Sequence, residues 1–196
     1  MALFVGSAFQ SVQAQDPRIG ARLDAPTRKA ISALVDSARA QGIPVEPLME
    51  KVYEGMGKGA DGPRIVAALR SLTIEMASAH RELGAVASAE EIKAAASAMH
   101  AGVPAVELGK LKKQSGLRRS LTLPFTVLAD IVSRGVPVHS AMNAIRSLVG
   151  AGARDTDISK FQRNVQVDIE KGAQPAAAAE TRVKGAVPPA GKDVPE

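Results

Sequence analysis

Apolar residues along this chain recur at spacings of three and four, in short runs that glycine brings to an end. Ile31, Leu34, Val35 and Ala38 share one face of a helix expected over about residues 26–41. Leu48, Val52, Tyr53 and Met56 do the same over about 44–57. The longest stripe, Ile65, Leu69, Leu72, Met76 and Leu83, predicts a third helix over about 63–83, with Arg64, Arg70, Glu75 and Arg81 off it. Ser88 followed by Glu91 is a capping box, in which each residue satisfies a free backbone N–H of the first turn. It starts a fourth, Ala-rich helix carrying Ile92, Ala95, Ala96 and Met99. Leu108 and Leu111 mark a short fifth helix, about 104–114. Phe125, Val127, Leu128, Ile131 and Val132 make the sixth, about 123–134, apolar enough to be buried on more than one side. Ala141, Ile145 and Leu148 mark the seventh, about 137–150. Asp155 or Thr156 caps an eighth that carries Ile158, Phe161, Val165 and Ile169. The pattern therefore predicts an all-α fold of about eight short helices in αα-hairpin units, either an irregular bundle or a degenerate helical repeat, without sheet.

One punctuation joins these helices three times. Gly42-Ile43-Pro44, Gly102-Val103-Pro104 and Gly135-Val136-Pro137 each lie between two amphipathic runs. Glycine is favoured just beyond a helix C-terminus, where the backbone turns left-handed. The apolar residue after it folds back onto the last turn, and proline is expected to open the next helix at its first position. Gly102 and Gly135 are 33 residues apart, the scale of helix-pair solenoids. Gly42 to Gly59 and Gly135 to Gly152 are both 17, with Ile65 and Ile158 each six residues beyond. Neither the Trp/Tyr pattern of tetratricopeptides nor the Thr-Pro-Leu-His of ankyrins occurs.

Residues 1–15 differ from the rest. An apolar run from Ala2 to Phe9 precedes Val12-Gln13-Ala14, which places small residues as a signal-peptidase site requires, although the basic start of such a leader is missing. This reads as a truncated signal peptide, followed by a linker over 16–25, a helical domain over 26–172, and an Ala/Pro/Gly-rich tail over 173–196 expected to be disordered. The expected location is the periplasm or the exterior, with the cytoplasm as the alternative. No run approaches the roughly 18 apolar residues of a membrane span.

Composition narrows the chemistry. With no cysteine, disulfides, thiolate metal sites and cysteine nucleophiles are excluded. His80, His100 and His139 lack metal-ligand pairing, and neither a phosphate-binding glycine loop nor G-x-S-x-G occurs. No catalytic residue, metal or cofactor is therefore expected. The net charge of +5 is concentrated in residues 102–134, where six basic groups face only Glu107 and Asp130. Lys110, Lys112, Lys113, Arg118 and Arg119 form the candidate binding patch, suited to an acidic protein surface, anionic lipid or phosphates; a plain solvated face is the alternative.

The stretch from Leu128 to Ile145 resembles the helix-turn-helix of bacterial repressors, with Ile131, Gly135, Ala141 and Ile145 at its turn and core positions. That resemblance implies His139, Ser140, Asn143 and Arg146 in a major groove. The implied reading helix is poor in the Lys and Arg that phosphate contacts need. The expected function is thus a non-catalytic module that binds a protein or peptide or serves as structure in the cell envelope, and a cytoplasmic DNA-binding protein is the alternative.

Overall fold

The computed structural model describes residues 22–116 and 119–186. The expected leader, most of the linker, Arg118 and residues 187–196 lie outside them. Among the described residues there are nine helices and no strand: α1 (Ala25–Ala40), α2 (Glu46–Gly57), α3 (Gly62–Leu83), α4 (Ala89–His100), α5 (Ala105–Ser115), α6 (Thr122–Ser133), α7 (Val138–Gly150), α8 (Asp155–Glu170) and α9 (Pro175–Ala186). The fold is all-α, as the apolar spacing indicates. Where one domain was expected over 26–172, the chain forms two compact units that meet within α3, between Thr73 and Ile74.

The first unit is built on the α1, α2 and early α3 stripes. Asp24 caps α1 by accepting the Thr27 N–H at 2.8 Å. Ile31, Val35, Ala38, Leu48, Val52, Ile65 and Leu69 are buried. At Gly62 a Cβ would lie 2.1 Å from the Thr27 hydroxyl, so only glycine lets α1 and α3 meet there. Tyr53, expected on the buried face of α2, is instead exposed. Its ring follows Val52 by one position, which turns it about a quarter of the way round the helix from that face.

In the second unit the first helices of successive pairs start at Ala89, Thr122 and Asp155, 33 residues apart each time. The second helices start at Ala105 and Val138, again 33 apart, and then at Pro175, four later than the period because α8 is one turn longer. Packing follows this period: α4 lies on α6 and α6 on α8, while α5 lies on α7 and α7 on α9. Two layers result, joined by contacts within each pair. Equivalent positions share the core: Ile92, Phe125 and Ile158 are all buried, and so are Ala95, Leu128 and Phe161. α6, between α4 and α8, occupies the central place that its apolar content implies.

The corners have the expected geometry. At Gly135 (φ +91) the Val136 N–H reaches back to the Ile131 carbonyl at 3.0 Å and the Gly135 N–H to that of Val132 at 2.9 Å. The same pair of bonds closes α1 at Gly42, α2 at Gly59, α4 at Gly102, α7 at Gly152 and α8 at Gly172. The apolar residue after the glycine is buried in four of the six: Ile43, Val103, Val136 and Ala153. Proline, however, sits earlier than expected: Pro44 precedes the α2 N-cap, Val45, by one residue, and the other two are themselves caps. Pro104 and Pro137 are N-caps with ψ of 134° and 138°, not first helical residues. One extended residue is needed to redirect the chain after the left-handed glycine, and the proline carbonyls still accept the first bonds, from Glu107 and Ala141. Arg154, rather than Asp155 or Thr156, stands at the N-cap of α8, and Asp157 accepts its N–H at 3.0 Å.

The tail expectation is corrected as well. Residues 175–186 form α9 and pack on α7 and α8. A run of alanines after proline lacks an apolar period, yet alanine is the strongest helix former and proline suits the first position. A disorder reading based on composition overlooks both.

The glycine corner yields a paired test. Gly135→Ala forces a Cβ into left-handed backbone and should lower unfolding free energy by about 1–2 kcal/mol. Gly150→Ala, at the helical end of α7 with nothing within 4 Å of the new methyl, should instead raise it by roughly 0.5 kcal/mol. Urea denaturation of the two variants measures both shifts.

Candidate functional site

The basic segment is where sequence places the site, and the structure disperses it. Lys112 is not on the surface: only 10% of its side chain is accessible, and its ammonium lies 2.8 Å from both Glu91 carboxylate oxygens. Glu91 itself is buried at 3% exposure. Its carboxylate also accepts the Leu121 N–H at 2.7 Å and the Ser88 N–H at 3.4 Å. One acid thus completes the capping box of α4, neutralises a cation from α5 and receives the N-cap N–H of α6. Burial acts to raise this carboxyl's pKa. The ammonium and the two N–H donors outweigh it and hold the pKa below its ordinary value.

Arg119 also turns inward. Its guanidinium donates to the Ala153 carbonyl at 2.5 Å and lies 4.0 Å from Asp155, tying the loop before α6 to the loop before α8. Lys110 is exposed and pairs with Glu107 at 2.8 Å, and Lys113 is exposed. Arg118 is outside the described residues. The five cations therefore do not form one outward patch. Lys112 is consumed within the α4–α5 pair, and Arg119 in joining the loop before α6 to the loop before α8.

The residues of the helix-turn-helix resemblance are likewise divided. His139 and Asn143 face solvent. Ser140 is buried at 5% exposure and donates to Glu180 of α9 at 3.4 Å. Arg146 is bound to Glu107 of α5. Packing of α7 between α5 and α9 thus takes two of the four side chains that would read a groove.

Ser140 also brings together a serine, a histidine and a carboxylate, with His139 Nδ1 and Glu180 Oε1 each 3.4 Å from its hydroxyl. Here serine is the middle member. Activation of a serine nucleophile requires imidazole between hydroxyl and carboxylate, so this order does not build a relay. His100 pairs with Glu75 at 3.0 Å on an exposed surface. Among the described residues no three His, Asp or Glu converge as metal ligands, and no helix is long and apolar enough to cross a membrane.

The residue that sequence reasoning missed is Glu91, assigned only to helix capping. Its second role depends on Lys112 and Leu121, 21 and 30 positions away, and no local pattern shows that. Comparison with known proteins gives no match to any family model, curated protein or solved structure.

The Glu91 cluster predicts an acid-sensitive fold. Because the folded pKa is lowered, its stabilising contribution is fully present above the ordinary carboxyl range and is lost as pH falls through the folded pKa. Glu91→Gln leaves Lys112 buried without a counter-charge and should cost about 3–5 kcal/mol at neutral pH, while flattening the acid limb of the stability curve. Adding Lys112→Met should recover most of the loss. Urea titrations between about pH 3 and pH 7 measure each variant.

Proposed function

We propose that this protein is a non-catalytic helix-pair scaffold, exported to the cell envelope, that binds a protein or peptide through its second-helix layer. The observation that carries the reading is the 33-residue register of α4–α8, which sets equivalent positions of stacked helices side by side. Val106 and His139 occupy one such pair and Lys110 and Asn143 another, and all four are exposed. A repeated layer offers a partner an extended, regularly spaced surface. The apolar leader pattern of residues 1–15 supports export.

Capture of partners from the native organism tests the surface. Val106→Asp combined with Asn143→Arg should weaken capture by at least about tenfold, whereas Thr126→Arg on the other layer should not. Equal capture by all three proteins would sink the proposed face. N-terminal sequencing of the native protein after cell fractionation tests export, with a start near residue 15 in the periplasmic or secreted fraction expected.

The DNA-binding alternative makes a different prediction. With Ser140 and Arg146 engaged inside the fold, a DNA titration across a salt series should give no retention and no salt-dependent slope. Tight binding that weakens steeply with salt would restore that alternative.

A further inference from the structure

The last helix is attached differently from the others. In α8 the residues Ile158, Phe161 and Val165 are fully buried, and α7 buries Ala141, Met142, Ala144, Ile145, Leu148 and Val149. In α9 only Ala178 and Ala179 are buried, two methyl groups in a helix of 12 residues. Pro175, Ala176 and Val183 are half-buried, and polar contacts add to these. Arg182 donates to both oxygens of Asp168 at 2.5 and 2.6 Å, and Glu180 accepts from Ser140 at 3.4 Å.

The hinge is also looser than its counterparts. Ala173 makes the corner bond to the Asp168 carbonyl at 2.9 Å, but its side chain is exposed, whereas Val103, Val136 and Ala153 at the equivalent corners of this unit are buried. Hydrogen bonds without the apolar clasp leave this corner open to water. A free helix of this length is marginal, so undocking and unravelling of α9 are one event.

We propose that α9 is a releasable strap in a helix-binding seat on α7 and α8, and that the seat accepts instead a partner helix bearing two adjacent small residues followed three positions later by arginine. This rests on the binding-scaffold reading above. The seat itself specifies the occupant. At Ala179, wholly buried, only a small side chain leaves the helices at this separation. Asp168 is largely covered, with 18% of its side chain accessible, and needs a cation where Arg182 now lies. The Ser140 hydroxyl favours an acceptor two residues before that arginine, the place of Glu180.

Hydrogen exchange of the full chain, read by mass spectrometry, tests release directly. Amides of α9 should exchange on the order of 100-fold faster than those of α8, and Arg182→Glu should accelerate α9 by a further tenfold or so while α6 is unchanged. A labelled peptide of residues 173–186, added to the full chain, tests the seat. It should bind the Arg182→Glu protein roughly tenfold more tightly than the original, because the resident strap no longer competes. The same peptide carrying Arg182→Glu should bind neither. Exchange of α9 in step with α8, or peptide affinity indifferent to Arg182→Glu, overturns the proposal. Dimerisation accompanying release would assign the seat to a second copy's α9 and overturn it too. Neither readout involves the unidentified partner, so failure here is distinct from failure of the exposed α5–α7 face.

Discussion

A backbone N–H that reaches five residues back across a left-handed glycine is the constraint on which this architecture depends. At Gly135 that bond brings Val136 against the end of α6 and sends Pro137 off as the cap of α7, all within four residues. Such a corner stops one helix and fixes the direction of the next, so short helices must return alongside each other. Repeating it at Gly102 and Gly135 sets the 33-residue register, and that register decides which apolar faces meet. Helices of 11–13 residues, such as α4 to α7, would be marginal alone. They persist because the corners after α4, α6 and α7 are closed by buried apolar residues and each stripe is covered by the helix two elements away.

Polar chemistry in the second unit serves the same end. Burying Glu91 and Lys112 is costly, and it is tolerable only because the carboxylate gains two backbone N–H donors and a full counter-charge. The loop before α6 cannot form helical bonds of its own at Leu121, so the acid of the preceding pair supplies the missing acceptor. Asp130 performs a related service between α6 and α8, accepting from Gln162 at 3.0 Å while pairing with Arg134. Glu107 and Arg146 link α5 to α7. Each neighbouring contact within a layer carries at least one such link, and register is where side-chain charges of this kind are most effective.

Much of this fold was legible in the sequence, and for physical reasons. The Ser88–Glu91 box, the Asp24 cap and the glycine corners are local chemistry, decided within six residues. The apolar stripes name the buried faces because helical geometry repeats every few positions. Tyr53 and the place of proline departed from expectation by one or two residues, the limit of what spacing alone resolves. α9 was misread because alanine carries helix propensity without an apolar period. The candidate site was far less legible. Whether Lys112 is a surface cation or a buried one depends on Glu91, 21 positions earlier, and on the approach of two helices that no local pattern encodes. Arg119 depends likewise on a carbonyl 34 positions later.

Part of the local positive charge therefore serves the fold itself. Lys112 on α5 meets the Glu91 carboxylate, and Arg119 before α6 meets the Ala153 carbonyl, both acceptors. Cations are the side chains that satisfy such acceptors most strongly, so these two need no external anion. What then faces solvent on α5 and α7 includes Val106, His139 and Asn143, with Lys113 exposed and Lys110 paired to Glu107. A partner for that surface would be selected by shape and by hydrogen bonding along a repeated layer, with the remaining exposed cation on α5, Lys113, at its edge.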